Sequence, residues 1–263
     1  MDYANLIVKS EGPVLWVTMN RPERLNAMNR ALVDELRHLF TDLYWRHETR
    51  VVVLAGAGRA FCAGLDLKEG NDGATFTDPG RGLTRQRSIS EIVMAMRRCP
   101  QPIVALVQGA ASGGGFALAL ASDVRIATPD VRMNAAFIRI GLSACDIGVS
   151  YFLPRMIGAS AASEYMLTGR FLDAERGKAL GLFAKIVEAN ALEAEARAYL
   201  KDMLHATPLG LRLTKEALNH AIDAQSLEAA IAMEDRNQIL CVQSPDFREG
   251  IAAFLEKREP KYG

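Results

Sequence analysis

The sequence predicts an α/β fold that ends in an all-helical region, and three observations predict it. Short apolar, β-branched runs at residues 14–19, 51–54 and 103–107 alternate with stretches whose apolar residues recur at helical spacing. That alternation is the pattern of strands joined through helices. Two of the runs feed glycine-rich turns, and the chain after about Asn190 reads as helix almost throughout. The boundary is therefore drawn at 190, with a site-bearing core over 1–190 and a C-terminal helical region over 191–263.

Taken in order, residues 6–8 and 14–19 flank Glu11-Gly12-Pro13 and form a hairpin. Asn20-Arg21-Pro22 closes it in a turn, and a polar extended segment leads to a helix over 30–45. Leu32, Val33, Leu36, Phe40, Leu43 and Tyr44 supply its apolar face. A strand over 51–54, a loop over 70–82 rich in Gly, Asp and Thr, a helix over 83–98 and a strand over 103–107 follow. The loop is expected to be mobile and to lie at the mouth of a site. Neither flank of it has the P-loop pattern that would cradle a phosphate.

Beyond the second glycine stretch, 125–127 and 131–133 read as short strands, 137–141 enters a loop, and 151–157 and 161–167 are helical. Asp173 is placed to cap a helix that runs to 180, with Gly181 as its C′ residue, and 184–187 is a last strand. Helices over 191–204, 209–224, 226–242 and 245–256 complete the chain, with Pro208 and Ser226 at the joints.

The stretch from Val107 to Leu120 carries four glycines between a buried strand and an Ala/Leu-rich helix start. The first N–H groups of a helix lack internal partners and sit at the positive end of its dipole. Glycines there bare the backbone to a substrate oxygen, which is how an anion site or oxyanion hole is built. The same glycines also serve close packing of a helix on a sheet, and their spacing is not that of a dinucleotide fingerprint.

A strand ending in AGAGRAFCAGLDLKE (55–69) and one ending in GAASGGGFALALASD (109–123), with NRPERLNAM at 20–28, LTGRFLDA at 167–174 and EGIAAFLEKR at 249–258, make five ordered motifs. Together they resemble the enoyl-CoA hydratase/isomerase (crotonase) superfamily along nearly the whole chain. The resemblance implies a right-handed spiral of ββα turns, which no internal repeat in the sequence discloses. It also implies that the helical tail packs in trimer formation.

It further implies that the backbone N–H groups of Leu65 and Gly114 hold a thioester carbonyl oxygen. Losing one such donor typically costs about 2.7–4 kcal/mol of transition-state stabilisation. Arg24, Leu25 and Ala27, with Ala63 and its neighbours, would flank the adenine and pantetheine of coenzyme A. Lys257 would contact a CoA phosphate or else be a solvated helix-end lysine. Coenzyme A would enter as part of the acyl-CoA thioester substrate, and no separate cofactor or metal is expected.

Hydratases of this family place glutamates where this chain has Ala117 and Phe137. Hydration needs a base for water and an acid for the α-carbon, so two apolar residues argue against ordinary hydration. Asp146 lies in the loop that supplies a catalytic aspartate in several relatives; its other reading is an N-cap for the following helix. Asp66, just after the first glycine loop, reads as structural or substrate-contacting, and Glu91 is an outlying acid. Ser112, Ser143 and Ser150 have no attendant histidine, which disfavours a serine nucleophile.

The implied function is an acyl-CoA enzyme that stabilises a thioester enolate, of isomerase or lyase type with one carboxylate. The alternatives are an atypical hydratase using Asp146 and water, and a non-catalytic acyl-CoA-binding protein.

Composition bounds the partners. A net charge of zero and an isoelectric point near 6.9 carry no nucleic-acid signature. Four widely spaced cysteines and an N-terminus without signal-peptide blocks point to the cytoplasm. The uncharged run over 99–122 is interrupted by Pro100, Pro102 and the glycines, so it reads as strand–turn–helix and not as a membrane span. The apolar residues of the tail point to a homotrimer or a dimer of trimers.

Overall fold

The strands, in a computed structural model that describes residues 3–69 and 78–262, are β1 (Leu6–Glu11), β2 (Val14–Met19), β3 (Val51–Gly56), β4 (Ile103–Val107), β5 (Ala110–Ser112), β6 (Val124–Ala127), β7 (Arg132–Asn134), β8 (Leu172–Asp173) and β9 (Lys185–Ile186). β1 and β2 form the expected antiparallel hairpin, Leu6 opposite Met19. From β2 onward the larger sheet is parallel, in the order β1-β2-β3-β4-β6-β9. A smaller sheet, β5-β7-β8, is extended by single bridges between Cys62 and Ala111 and between Met28 and Leu65. Successive passes of the chain thus contribute first to the large sheet, then to the small one, then to a helix.

The helices are α1 (Arg30–Asp42), α2 (Pro79–Arg98), α3 (Gly114–Ala121), α4 (Val149–Ile157), α5 (Ala159–Thr168), α6 (Ala174–Ala179), α7 (Leu192–His205), α8 (Pro208–Ala221), α9 (Leu227–Gln243) and α10 (Pro245–Glu256). The large sheet is covered on both faces, which is why its central strands are continuously apolar. Leu15, Val17, Val52, Leu54 and Ala105 face a core with Leu32, Leu36 and Phe40 of α1 and Ile92 and Met96 of α2. The alternate residues Val14, Val51, Val53, Val104 and Leu106 pack on Leu192, Ala196 and Leu200 of α7. The division at 190 accordingly marks a change of chain character and not a boundary between separate cores, because α7 closes the sheet's second face.

Several element bounds shift for local reasons. Of the loop expected over 70–82, residues 70–77 lie outside the described residues. α2 begins at Pro79, because Asp78 accepts from Gly80 N at 2.8 Å and Arg81 N at 3.2 Å and Pro79 suits the first helical turn. The α-helical part of the first helix stops at Asp42, and Leu43–Trp45 continues as a 3-10 turn. Residues 136–140 are a 3-10 helix where a loop was expected, and the three-residue β5 stands between β4 and α3. Asp173 caps α6 as expected, accepting from Arg176 N at 2.9 Å.

No helix among the described residues is long and apolar enough to cross a membrane.

Candidate active site

The two glycine loops lie back to back. Cys62 N donates to Ala110 O at 3.0 Å and Ser112 N to Cys62 O at 3.0 Å, so the chain around Cys62 runs as an extra strand beside β5. A Cβ at Gly115 would stand 2.0 Å from Cys62 O, an approach only glycine permits. Gly64 turns at φ +102°, and a Cβ there would meet Ser112 O at 2.8 Å and Gly114 N at 3.5 Å. Leu65 N and Gly114 N are thereby neighbours, and neither donates to any group among the described residues. Gly114 is also the first residue of α3, so its N–H carries the positive end of that helix's dipole.

A third segment forms the rim. Met28 N donates to Gly64 O at 2.7 Å, Asp66 N to Met28 O at 3.0 Å and Ala63 N to Leu25 O at 2.9 Å. The side chain of buried Asn26 donates to Ala57 O and Ala60 O, both at 2.8 Å, and accepts from Arg21 N at 2.9 Å. Leu25, Ala27 and Ala63 are half-buried along this rim and Arg24 is exposed. Beside Leu65 opens a cavity of about 700 Å³ lined by Met28, Val33, Ile89, Arg30 and Arg85. A second, of about 710 Å³, lies between α2, α4 and α8, reached by Ile147, Tyr151 and Lys215. The first adjoins the free N–H pair and has the size of a ligand pocket.

Asp66 is turned away from the cavity. Its Oδ2 accepts from Arg21 Nη1 at 3.1 Å, its Oδ1 from Lys68 N and Glu69 N, and both side chains of the pair are buried. Burial works to raise its carboxyl, but Arg21 and the two backbone donors outweigh it and hold the group below its ordinary value. Asp66 is thus a strut that fixes the loop after Leu65, and its oxygens are taken. Arg21 also donates to Glu69 at 2.9 Å, tying rim to loop a second time.

Asp146 has different surroundings. It does not cap α4: Gly148 occupies the N-cap, and no side chain accepts there. Asp146 is therefore not the N-cap that the sequence allowed, because Gly148 stands between it and the first turn. Asp146 Oδ1 instead accepts from Ile147 N at 2.8 Å and from Gln86 Nε2 of α2. Burial raises its carboxyl above the ordinary value, against the two hydrogen bonds. Ile147, at φ +35°, a strained setting for a β-branched residue, comes within 3.8 Å of a Cβ built on Gly114, which places the Asp146 loop next to the N–H pair.

Ala117 is buried inside α3, and the ring of Phe137 lies 3.5 Å from a Cβ built on Gly113. Both positions are apolar and close to the helix start. Glu91 pairs with Arg98 at 3.4 Å, and burial pushes the Cys62 thiol up to about 12, leaving no thiolate nucleophile in the loop. Lys257 ends α10 in a left-handed turn, exposed. The neighbouring Glu259 and Tyr262 reach His205 and Arg50, beside the start of β3, whereas the glycine loops follow the ends of β3 and β4. Within one chain, Lys257 therefore lies at the opposite end of the sheet from the N–H pair. Gln86 was not visible as a site residue: it is an exposed residue of α2, one turn before buried Ile89, and no spacing in the sequence marks it.

This fold, with two N–H groups unpaired among the described residues, one after the first glycine loop and one at a helix start, defines the crotonase class. The family model described as Enoyl-CoA hydratase/isomerase matches residues 9–263. The chain is 38% identical over 254 residues to the probable enoyl-CoA hydratase echA12 of Mycobacterium leprae, covering 93% of this chain and 85% of that one. It is 34% identical over 252 residues to the 1,2-epoxyphenylacetyl-CoA isomerase of Escherichia coli, covering 96% and 95%. The crystal structure of an enoyl-CoA hydratase from Bacillus anthracis superposes with a TM-score of 0.91 at 32% identity, covering 98% of each chain. The chain belongs to the enoyl-CoA hydratase/isomerase family and is an acyl-CoA enzyme of it.

Proposed function

We propose that the protein moves a proton within an acyl-CoA thioester, as an isomerase with one catalytic carboxylate, and that it does not hydrate simple enoyl-CoA. The observation that carries this is the N–H pair of Leu65 and Gly114 beside one carboxylate oxygen of Asp146, all three without a partner among the described residues, amid apolar Ala117 and Phe137. The thioester oxygen accepts from both N–H groups. Asp146 Oδ2 removes an α-proton, the C–H electron pair delocalises onto the thioester oxygen, and the two donors stabilise that enolate. Asp146 then returns the proton, at the γ-carbon where the acyl chain is unsaturated. A single carboxylate suffices because the proton taken is the proton given back.

The rim of Arg24, Leu25, Ala27 and Ala63 would hold the CoA moiety. Lys257 fits a phosphate contact only if a second copy supplies it, in a homotrimer or a dimer of trimers. The likeness to a named isomerase supports the reading, and the names of the probable hydratases make hydration its competitor.

The test uses trans-3-hexenoyl-CoA and crotonyl-CoA. Migration of the double bond into conjugation is expected for the first, with slow hydration of the second. Asp146→Asn should lower isomerisation by about 10²–10⁴-fold with CoA-thioester binding retained in calorimetry. Rapid hydration of crotonyl-CoA by the wild type, or full isomerisation by Asp146→Asn, would overturn the proposal.

A further inference from the structure

We propose that Gln86, on α2, is a positioning residue for Asp146, holding Oδ1 so that Oδ2 faces the reacting carbon; this rests on the isomerase reading above. Sixty residues separate the two side chains in sequence, and the contact is the amide Nε2 of Gln86 donating to Oδ1. Ile147 N donates to the same oxygen at 2.8 Å. Two donors on one carboxylate oxygen fix the plane of the group, because rotation about the Cβ–Cγ bond would break both. Oδ2 accepts from no group among the described residues. The carboxylate is therefore divided into a held oxygen and a working one.

The choice of an amide is chemically specific. Lysine or arginine in place of Gln86 would pair with the carboxylate as a full charge and weaken it as a base. A second acid would repel it. A neutral donor orients the group with only a modest effect on its basicity. The charged groups on neighbouring elements are engaged elsewhere. Arg87 points to Met94 Sδ at 3.7 Å, Glu91 to Arg98, and Arg155 of α4 to Asp223 at 3.0 Å. Arg85 lines the cavity beside Leu65. The influences on Asp146 are burial, which raises it, and the Ile147 and Gln86 hydrogen bonds, which lower it.

The clamp also explains the placement of α2. Gln86, Ile89 and Val93 share one side of the helix, with Ile89 and Val93 buried in the core. Packing of those two apolar residues sets the azimuth of α2 and so delivers the amide to the Asp146 loop. Gln86 is itself exposed, so its replacement does not open the core.

The experiment compares the full-length wild type with Gln86→Met, which keeps the length and loses the donor, and with Asp146→Asn. The Asp146 carboxyl is titrated by carbon NMR on protein labelled at aspartate Cγ, its resonance assigned by disappearance in Asp146→Asn. In parallel, kcat/KM for trans-3-hexenoyl-CoA is measured against pH. In Gln86→Met a lowering influence is removed, so Asp146 should titrate at higher pH and the acid limb of the profile should move the same way. On the plateau kcat should fall about threefold to tenfold, the scale of one hydrogen bond, with KM little changed.

Coincident titration curves for wild type and Gln86→Met, with Asp146→Asn inactive, overturn the role of Gln86 alone. Undiminished turnover in Asp146→Asn overturns the isomerase reading and the role with it. Absence of turnover in the wild type counts against the isomerase reading, and the titration still decides whether Gln86 holds Asp146.

Discussion

Asp66 and Asp146 follow glycine-rich or turn-rich loops that meet at the same helix start, and their partners give them opposite behaviour. Asp66 has a buried arginine and two backbone donors; Asp146 has burial opposed by one backbone donor and one amide. Asp66 therefore stays charged in the native state at a pH where Asp146 begins to hold a proton. Because the folded value of Asp66 lies below the unfolded one, its contribution to stability is present above about pH 4 and is lost as pH falls through the folded value. Asp66→Asn should destabilise by about 1–3 kcal/mol at pH 7, since Arg21 keeps only Glu69 and a carbonyl. Urea unfolding at pH 7 and pH 3 checks this: the gap between mutant and wild type should narrow at pH 3. The sequence placed Leu65 and Gly114 in one site through their motifs, whereas the roles of Asp66 and Gln86 depend on partners 45 and 60 residues away. A lone glutamine on an exposed helical stretch has no spacing that announces such a partner.

At the scale of elements, the entry to α3 separates two glycines that look alike in sequence. A Cβ on Gly115 would strike the backbone carbonyl of Cys62, which cannot move without breaking its bond from Ser112 N. A Cβ on Gly114 would meet Met28 Cε at 2.3 Å, the free end of a flexible side chain. Gly115→Ala should cost about 3 kcal/mol in chemical denaturation, at the upper end of overpacking. Gly114→Ala should leave stability nearly unchanged and weaken CoA-thioester binding about tenfold by calorimetry, as Met28 is pushed toward the cavity.

The long apolar strands and capped helices were legible because burial and capping act locally. β5 was not, because three small residues between glycines have no periodicity to show. The start of α2 was hidden by Gly80 and Gly82, whose poor helix propensity is overridden by the Asp78 cap and by packing further along the helix.

At the scale of the molecule, α9 and α10 leave Leu227, Ile231, Ile239, Leu240, Phe254 and Leu255 exposed, Phe254 at 83%. A face of that kind seeks a partner, and a second copy of the chain is the partner the tail's composition led us to expect. Light scattering at micromolar concentration should give a trimer or hexamer, and Phe254→Glu should shift the population toward monomer. A wild-type monomer would count against the expectation. The tail is also bolted to its own core. Buried Lys215 of α8 donates to Gln101 O at 2.7 Å and Met96 O at 3.1 Å and pairs with Asp123 at 3.0 Å, while Asn219 donates to Arg97 O at 3.0 Å. A lysine at the C-terminal end of α2 also complements that helix's dipole.

The packing of α7 on Val53, Val104 and Leu106 decides how this protein can be recombined with its relatives. A chimaera that takes its tail from another family member at residue 190 would set a foreign α7 against these valines, with side-chain volumes selected on a different sheet. A junction at Ala206-Thr207, after α7 and before the Thr207 cap of α8, keeps the native helix on its native strands. Grafts joined there that keep lysine at 215 opposite Asp123 should be recovered as soluble, cooperatively melting protein, and grafts joined at 190 should not. The seam for exchanging assembly surfaces is one helix further along the chain than the change in composition suggests.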